Sequence, residues 1–70
     1  MSGINIEYIL HNIRKTRERS YFSQEYMAAK MHIGQNAYSK IELRKTKLTV
    51  EHLFAIADAL GVEVAELLAQ

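Results

Sequence analysis

The chain has 70 residues, no cysteine, no proline, three glycines and a formal net charge of +1. A chain of this length forms one domain at most, and the lack of cysteine excludes disulfides and thiolate metal sites. The scarcity of turn-forming residues argues against an all-β fold, and no apolar run approaches a membrane span or a signal peptide.

Apolar residues recur at the helical period in five segments, which predicts an all-α fold with five helices. In chain order the predicted helices cover about residues 5–19, 23–31, 35–43, 50–60 and 64–68. Asn5, Ser23 and Thr49 are the expected N-caps of the first, second and fourth helices, and Gly61 should end the fourth. We expect the fourth helix to bury Val50, Leu53, Phe54, Ile56, Ala57 and Leu60.

Arg17 falls within the apolar arc of the first helix, between Leu10 and Ile13 by angle. An unpaired buried arginine would be costly, so Arg17 should have a carboxylate partner. Glu42 lies at the edge of the core-facing side of the third helix, and we predict a partly buried Arg17–Glu42 ion pair. The alternative is that Arg17 extends past the helix end to water.

The third predicted helix has two chemically different sides. Its outward arc carries Gln35, Asn36, Ser39, Lys40 and Leu43. The opposite arc, which should face the core, carries Ala37, Tyr38 and Ile41. Amide side chains can pair bidentately with adenine, and lysine reaches guanine or phosphate, so the outward arc suits the DNA major groove. The alternative is an ordinary solvated helix face, since Gln and Asn are common on surfaces.

The surroundings of this helix favour contact with DNA. The second helix, a short break and the third helix have helix-turn-helix proportions. Gln24 lies in the first turn of the second helix, where free N–H groups and the helix dipole suit a phosphate. Arg44, Lys45 and Lys47 follow the third helix directly and could hold phosphates beside the groove. The alternative is that Gln24 and the basic loop are ordinary solvated parts of the surface.

Charge is unevenly distributed along the chain. Residues 1–47 contain all nine basic residues and four acidic ones, a balance of +5, whereas residues 48–70 contain four acidic residues and no base. Unless it is chance scatter, this asymmetry predicts an anion-binding N-terminal part. The three histidines share no helix face at metal-ligand spacing, so we expect no metal and no cofactor. The lack of a nucleophile–base pair or a glycine-rich phosphate loop argues against an enzyme.

The run SQEYMAAKMHIGQNAYSKIE, followed by LTVEHLFAIADALGV, resembles the Cro/CI-type helix-turn-helix domain of the xenobiotic-response-element family. That family includes phage repressors, restriction–modification controllers and some antitoxins. The resemblance covers residues 9–68 and implies a lambda-repressor-like five-helix bundle with the third helix as recognition helix. It implies base readers at Gln35, Asn36 and Lys40, beside Ala37 and Ser39. It also implies a phosphate-binding role for Gln24 and a buried pair of Arg17 with Glu42.

Five positions depart from the family pattern, and two of them are leucines, Leu43 where a polar residue is usual and Leu48 where a proline is usual. His32 stands at the turn glycine, where a left-handed conformation would cost a histidine about 1 kcal/mol. Gly34 replaces the usual serine or threonine cap of the third helix, and Arg44 replaces a glycine at its end. These departures leave room for a member that has lost DNA binding.

One domain of this kind covers only a few base pairs, so we expect a homodimer on a palindromic site, its recognition helices about 34 Å apart. The expected dimer contact is Phe54, Val64 and Leu68, unless these residues belong to the intramolecular core. The predicted function is sequence-specific regulation of transcription on double-stranded DNA, in the cytoplasm at the bacterial nucleoid. The alternative is a protein-interaction module, such as an antitoxin or scaffold, with its partner on the acidic C-terminal part.

Overall fold

The computed structural model describes residues 5–70, which form five α-helices and no strand. The helices are α1 (Ile6–Arg19), α2 (Gln24–Met31), α3 (Gln35–Glu42), α4 (Val50–Leu60) and α5 (Val64–Leu68). This arrangement confirms the predicted all-α bundle, although α3 ends one residue earlier than predicted. None of the helices within residues 5–70 combines the length and the apolar character needed to cross a membrane.

Polar side chains start three of the helices as predicted. The backbone N–H groups of Glu7, Tyr26 and His52 donate to the side chains of Asn5, Ser23 and Thr49, respectively. Gly34 is the N-cap of α3, and it offers no side chain to cap the helix. The first-turn N–H groups of α3 therefore depend on water or on a bound molecule for their hydrogen bonds.

Four turns within residues 5–70 contain a left-handed residue, and only the one after α4 uses glycine, at Gly61 with φ of 73°. The others are Tyr21, His32 and Arg44, with φ of 59° to 60°. A side chain in this conformation costs about 1 to 2 kcal/mol, so these turns must be held by their surroundings. After α2, for example, the N–H of Ile33 donates to the Ala28 carbonyl at 3.0 Å.

The core draws on all five helices. Helix α2 packs against α3 and α4, while α1 packs against α5 and also meets α3 and α4. The largest fully buried side chains are Ile13, Met27, Tyr38, Ile41, Ile56 and Leu67. Helix α3 is therefore held from behind by α2 and α1.

Three predictions of burial are wrong. Val50 and Phe54 are 70% and 59% exposed, and Ala37 is also exposed. On α4, the apolar arc is wider than the surface that the neighbouring helices cover, and the two side chains lie one turn apart at its edge. Ala37 lies at the edge of the core-facing arc of α3, in the first turn, where no neighbour reaches it.

Candidate nucleic-acid interface

The outward side of α3 presents polar side chains to solvent. Gln35, Asn36 and Lys40 are exposed, while Ser39 is half-buried. Within residues 5–70, none of these four side chains forms a hydrogen bond or salt bridge in the structure. Their donors and acceptors therefore remain available to a ligand.

The inward side of the same helix is fixed in the core. Tyr38 and Ile41 are buried among apolar side chains, and Glu42 is the buried charged residue of residues 5–70. Because three neighbouring residues on one side of the helix are held in place, the rotation of α3 about its own axis is set. This rotation directs the amide-rich side away from the protein body.

Glu42 is the centre of a hydrogen-bond network behind α3. Arg17 donates from Nε to Oε2 at 2.7 Å and from Nη2 to Oε1 at 3.1 Å. The Tyr38 hydroxyl donates to Oε2 at 2.5 Å, and Gln24 Nε2 donates to Oε1 at 3.2 Å. Each carboxylate oxygen thus accepts two hydrogen bonds, which satisfies the buried charge.

Arg17 extends this network to the turn before α2. Its Nη1 donates to the Phe22 carbonyl at 3.0 Å. The structure therefore brings Arg17 and Glu42 together, and their contacts join α1, the start of α2 and the end of α3. The buried carboxylate and its donors thus add hydrogen bonds to the core packing between the two helices of the helix-turn-helix.

The network also sets the protonation of its members. Burial by itself would raise the pKa of Glu42, but the hydrogen bonds from Arg17 and Tyr38 outweigh burial and lower this pKa. The hydrogen bond to Glu42 raises the pKa of Arg17 further above neutrality. Burial, with the neighbouring carboxylate, raises the pKa of Tyr38. At neutral pH the pair is therefore ionised, and the tyrosine remains a hydrogen-bond donor.

Gln24 is half-buried at the first turn of α2, and sequence reasoning missed its contact with Glu42. Because a carboxylate only accepts hydrogen bonds, the NH₂ group of the amide must face Glu42. One of its two N–H bonds is used there, and the other can still donate to a phosphate outside. The contact holds the Gln24 side chain in one orientation.

The basic loop after α3 is anchored by its backbone. The N–H of Arg44 donates to the Ile41 carbonyl at 3.1 Å, and the N–H of Lys45 donates to the Lys40 carbonyl at 2.8 Å. At the other end of the loop, Leu48 is half-buried and packs on the core. The side chains of Arg44, Lys45 and Lys47 are exposed. The loop therefore presents three cations beside α3 from a fixed backbone.

Arg44 has a partner that the sequence analysis did not identify. Its Nη1 donates to Glu7 Oε2 at 3.0 Å, in an exposed salt bridge between the loop and the first turn of α1. The two residues are 37 positions apart, and neither falls on an apolar arc, so no local pattern indicates the contact.

The residues predicted to form a dimer contact differ in exposure. Phe54 is exposed on α4, one turn after the exposed Val50, whereas Val64 and Leu68 are half-buried on α5. Leu67 is fully buried in the core. Asn12 holds the end of α5 against α1, because its Nδ2 donates to two carbonyls in residues 67–69, at 2.9 Å and 2.6 Å.

No group of three or more His, Asp or Glu side chains converges as a metal-ligand set in the part of the chain that the structure describes, residues 5–70. The polar groups around α3 are instead amides, cations and one saturated carboxylate. This arrangement can donate hydrogen bonds to anions and exchange them with the edges of bases.

Comparison with known proteins gives one result. A family model described as helix-turn-helix matches residues 13–67, which is most of the chain. The comparisons with curated proteins and with solved structures give no significant match. The matched region includes the buried network, α3 and the basic loop. The chain therefore belongs to the Cro/CI-type helix-turn-helix family, whose domains bind DNA in the regulation of transcription.

Proposed function

We propose that this protein is a transcriptional regulator that binds a palindromic operator as a homodimer. The observation that carries the proposal is the two-sided α3, with an inward side locked by Tyr38 and Glu42 and an outward side of unpaired amides and one lysine. Gln35 and Asn36 lie in its first turn, the part of a recognition helix that reaches deepest into the major groove. These two residues and Lys40 read bases, with Ser39 beside them.

Phosphate contacts on both sides of the groove position the helix. Gln24 offers its second amide N–H at the start of α2, where the helix dipole also favours an anion. Arg44, Lys45 and Lys47 grip the backbone beside the end of α3, supported by the anchored backbone of their loop. Such contacts provide affinity and orientation, while the base contacts provide specificity.

The DNA proposal can be tested with a pool of random duplexes. The pool is incubated with the protein at low salt, and the duplexes that the protein retains are sequenced. An enriched palindrome supports it, and the absence of any retained sequence contradicts it. On the enriched duplex, Gln35→Ala should relax specificity at one position of each half-site. Lys47→Gln should weaken binding to all DNA sequences alike and reduce the slope of log K against log salt by about one unit.

The homodimer forms through Phe54, Val64 and Leu68. Phe54 supports this proposal because an aromatic residue that is 59% exposed gains from burial in a contact with a second copy. Sedimentation velocity of Phe54→Ser against the parent tests it, and the variant should dissociate at concentrations where the parent is dimeric. Tyr8→Ser is the matched control, because Tyr8 is also an exposed aromatic but lies on α1. A parent that stays monomeric at high concentration contradicts the dimer.

One observation favours a second function, a protein-interaction module. Val50 and Phe54 form an exposed apolar pair on a helix that carries only acidic charges. In that case the partner would cover this pair, and the duplex pool would yield no enriched sequence.

A further inference from the structure

A second cation-lined surface lies on the α1 side of the recognition helix. It is a cleft of about 270 Å³ between α1 and the end of α3, with Arg14 and Arg44 among its walls. Leu43, His11 and Glu7 also line it. Of these residues, only Arg44 is predicted from the sequence to bind phosphate, and Arg14 has no predicted role.

The cleft continues the outward side of α3. Leu43 follows the last residue of the helix, is 55% exposed and falls in the same arc as Gln35 and Lys40. Because Leu43 is also a wall of the cleft, the cleft begins where the reading side ends. A DNA strand that borders the groove occupied by α3 would pass this opening.

The charges of the cleft suit a phosphate. Within residues 5–70, Arg14 makes no salt bridge, so its guanidinium has five N–H donors to offer. Arg44 is paired with Glu7, but both side chains are exposed and such pairs contribute little stability, so another anion can replace the carboxylate. The Glu42 carboxylate at the base of the cleft is buried and already saturated by its four donors, so it does not compete.

We propose that this cleft binds a backbone phosphate of the operator, held by Arg14 and Arg44, and that the phosphate displaces Glu7 from Arg44. Glu7 then acts as a built-in competitor that lowers the affinity for DNA. Arg14 becomes a phosphate-binding residue contributed by α1, outside the helix-turn-helix itself. This inference rests on the proposed operator binding and adds a site and a means of weakening it.

The test measures binding of the enriched duplex by fluorescence anisotropy over a series of salt concentrations. Arg14→Gln should weaken binding by about 3- to 10-fold and reduce the slope of log K against log salt by about 0.9, the value for one lost phosphate contact. Glu7→Gln should tighten binding several-fold, because it frees Arg44 and removes a negative charge next to the phosphate.

The chain offers a matched control for each change. Lys15 and Glu18 also lie on α1, but they line a different cleft with Tyr21, on another side of the helix. Lys15→Gln and Glu18→Gln alter the net charge by the same amounts as the two test variants, so they measure the effect of net charge alone. We expect each control to change the affinity less than twofold. Circular dichroism verifies that all four variants are folded.

The outcomes separate the two proposals. If the parent binds the duplex and Arg14→Gln differs from Lys15→Gln in affinity and slope, the cleft site is supported. If the parent binds but the two variants behave alike, the cleft site is wrong while operator binding stands. If the parent binds no duplex, operator binding fails and the cleft site fails with it.

Discussion

Two arginine–glutamate pairs join α1 to the end of α3 and the loop after it, and they differ in solvent exposure and in the number of hydrogen bonds. Arg17 and Glu42 meet at 2.7 Å with side chains 12% and 2% exposed, whereas Arg44 and Glu7 meet at 3.0 Å with side chains 56% and 74% exposed. The carboxylate of the buried pair accepts four hydrogen bonds, two from Arg17 and one each from Tyr38 and Gln24, while the exposed pair has a single hydrogen bond.

The difference shows that the same two residue types can serve opposite purposes. Breaking the buried pair leaves a charge in a largely buried site, so its members depend strongly on each other. Breaking the exposed pair returns both charges to water at little cost. The first pair is thus part of the scaffold that orients α3, and the second is free to exchange its carboxylate for another anion.

The largest expected effect comes from neutralising one member of the buried pair. Glu42→Gln should lower the free energy of unfolding by about 3 to 5 kcal/mol, because the Arg17 charge loses its partner inside the protein. Urea unfolding followed by circular dichroism measures this loss. An unchanged unfolding midpoint would mean that Arg17 finds water instead and that the pair is not structural.

A double variant controls for the loss of the side chain as such. Arg17→Met with Glu42→Gln removes both charges and leaves an amide that Tyr38 can still reach with its hydroxyl. We expect the double variant to recover at least half of the stability lost by Glu42→Gln. A double variant as unstable as the single one would show that lost packing, and not an unpaired charge, causes the damage.

The next effect isolates one donor of the network. Tyr38→Phe keeps the ring in the core and removes the hydroxyl that donates to Glu42. Hydrogen bonds to charged groups contribute about 1.5 to 3 kcal/mol, so the free energy of unfolding should fall by that amount. Tyr26→Phe is the matched control, because that side chain is at the surface, and it should be nearly neutral in the same unfolding experiment.

The buried pair should also make the stability of the protein depend on acid. The pKa of Glu42 is lowered in the folded protein, so its contribution to stability is complete above the ordinary glutamate pKa of about 4.3. It is lost as the pH falls through the lower folded value, with a slope of at most about 1.4 kcal/mol per pH unit for one proton. Unfolding free energies measured from pH 2 to 7 should show this loss in the parent.

Two variants identify the source of the acid dependence. A variant that combines Arg17→Met with Glu42→Gln should lose much of the slope, because the buried carboxylate is absent. Glu7→Gln removes a carboxylate of the exposed pair and leaves the buried network intact, so it should retain the slope. If Glu7→Gln flattens the profile and the double variant does not, the roles of the two pairs are reversed.

The buried pair can be predicted from the sequence, and the exposed pair cannot. The angle of Arg17 on an apolar arc indicates a need for a carboxylate, and Glu42 is at the matching edge of the third helix. Burial creates this signal, because a charge among apolar residues is costly. Glu7 and Arg44 sit at polar positions where any partner is tolerated, so only the three-dimensional path of the loop brings them together.

The periodicity and the caps predict which helices form and in what order. They do not predict how much of each helix is covered by its neighbours. The apolar arc of α4 includes Val50 and Phe54, and nothing in a single helix shows that its neighbours stop short of them. The same limit applies to Gln24, whose position in the first turn of α2 is readable while its contact with Glu42 depends on how α2 packs on α3. Packing between helices, and not the helices themselves, is what the sequence leaves open.

The smallest expected effect completes the comparison. Glu7→Gln should change the free energy of unfolding by less than about 0.5 kcal/mol, because exposed salt bridges contribute little and Arg44 remains solvated without its partner. Urea unfolding at low and moderate salt measures the change, which should shrink further as salt screens the pair. A loss as large as that of Tyr38→Phe would show that the exposed pair also belongs to the scaffold. A phosphate could then not displace Glu7 from Arg44 without destabilising α1. Tighter DNA binding by Glu7→Gln would in that case need another cause.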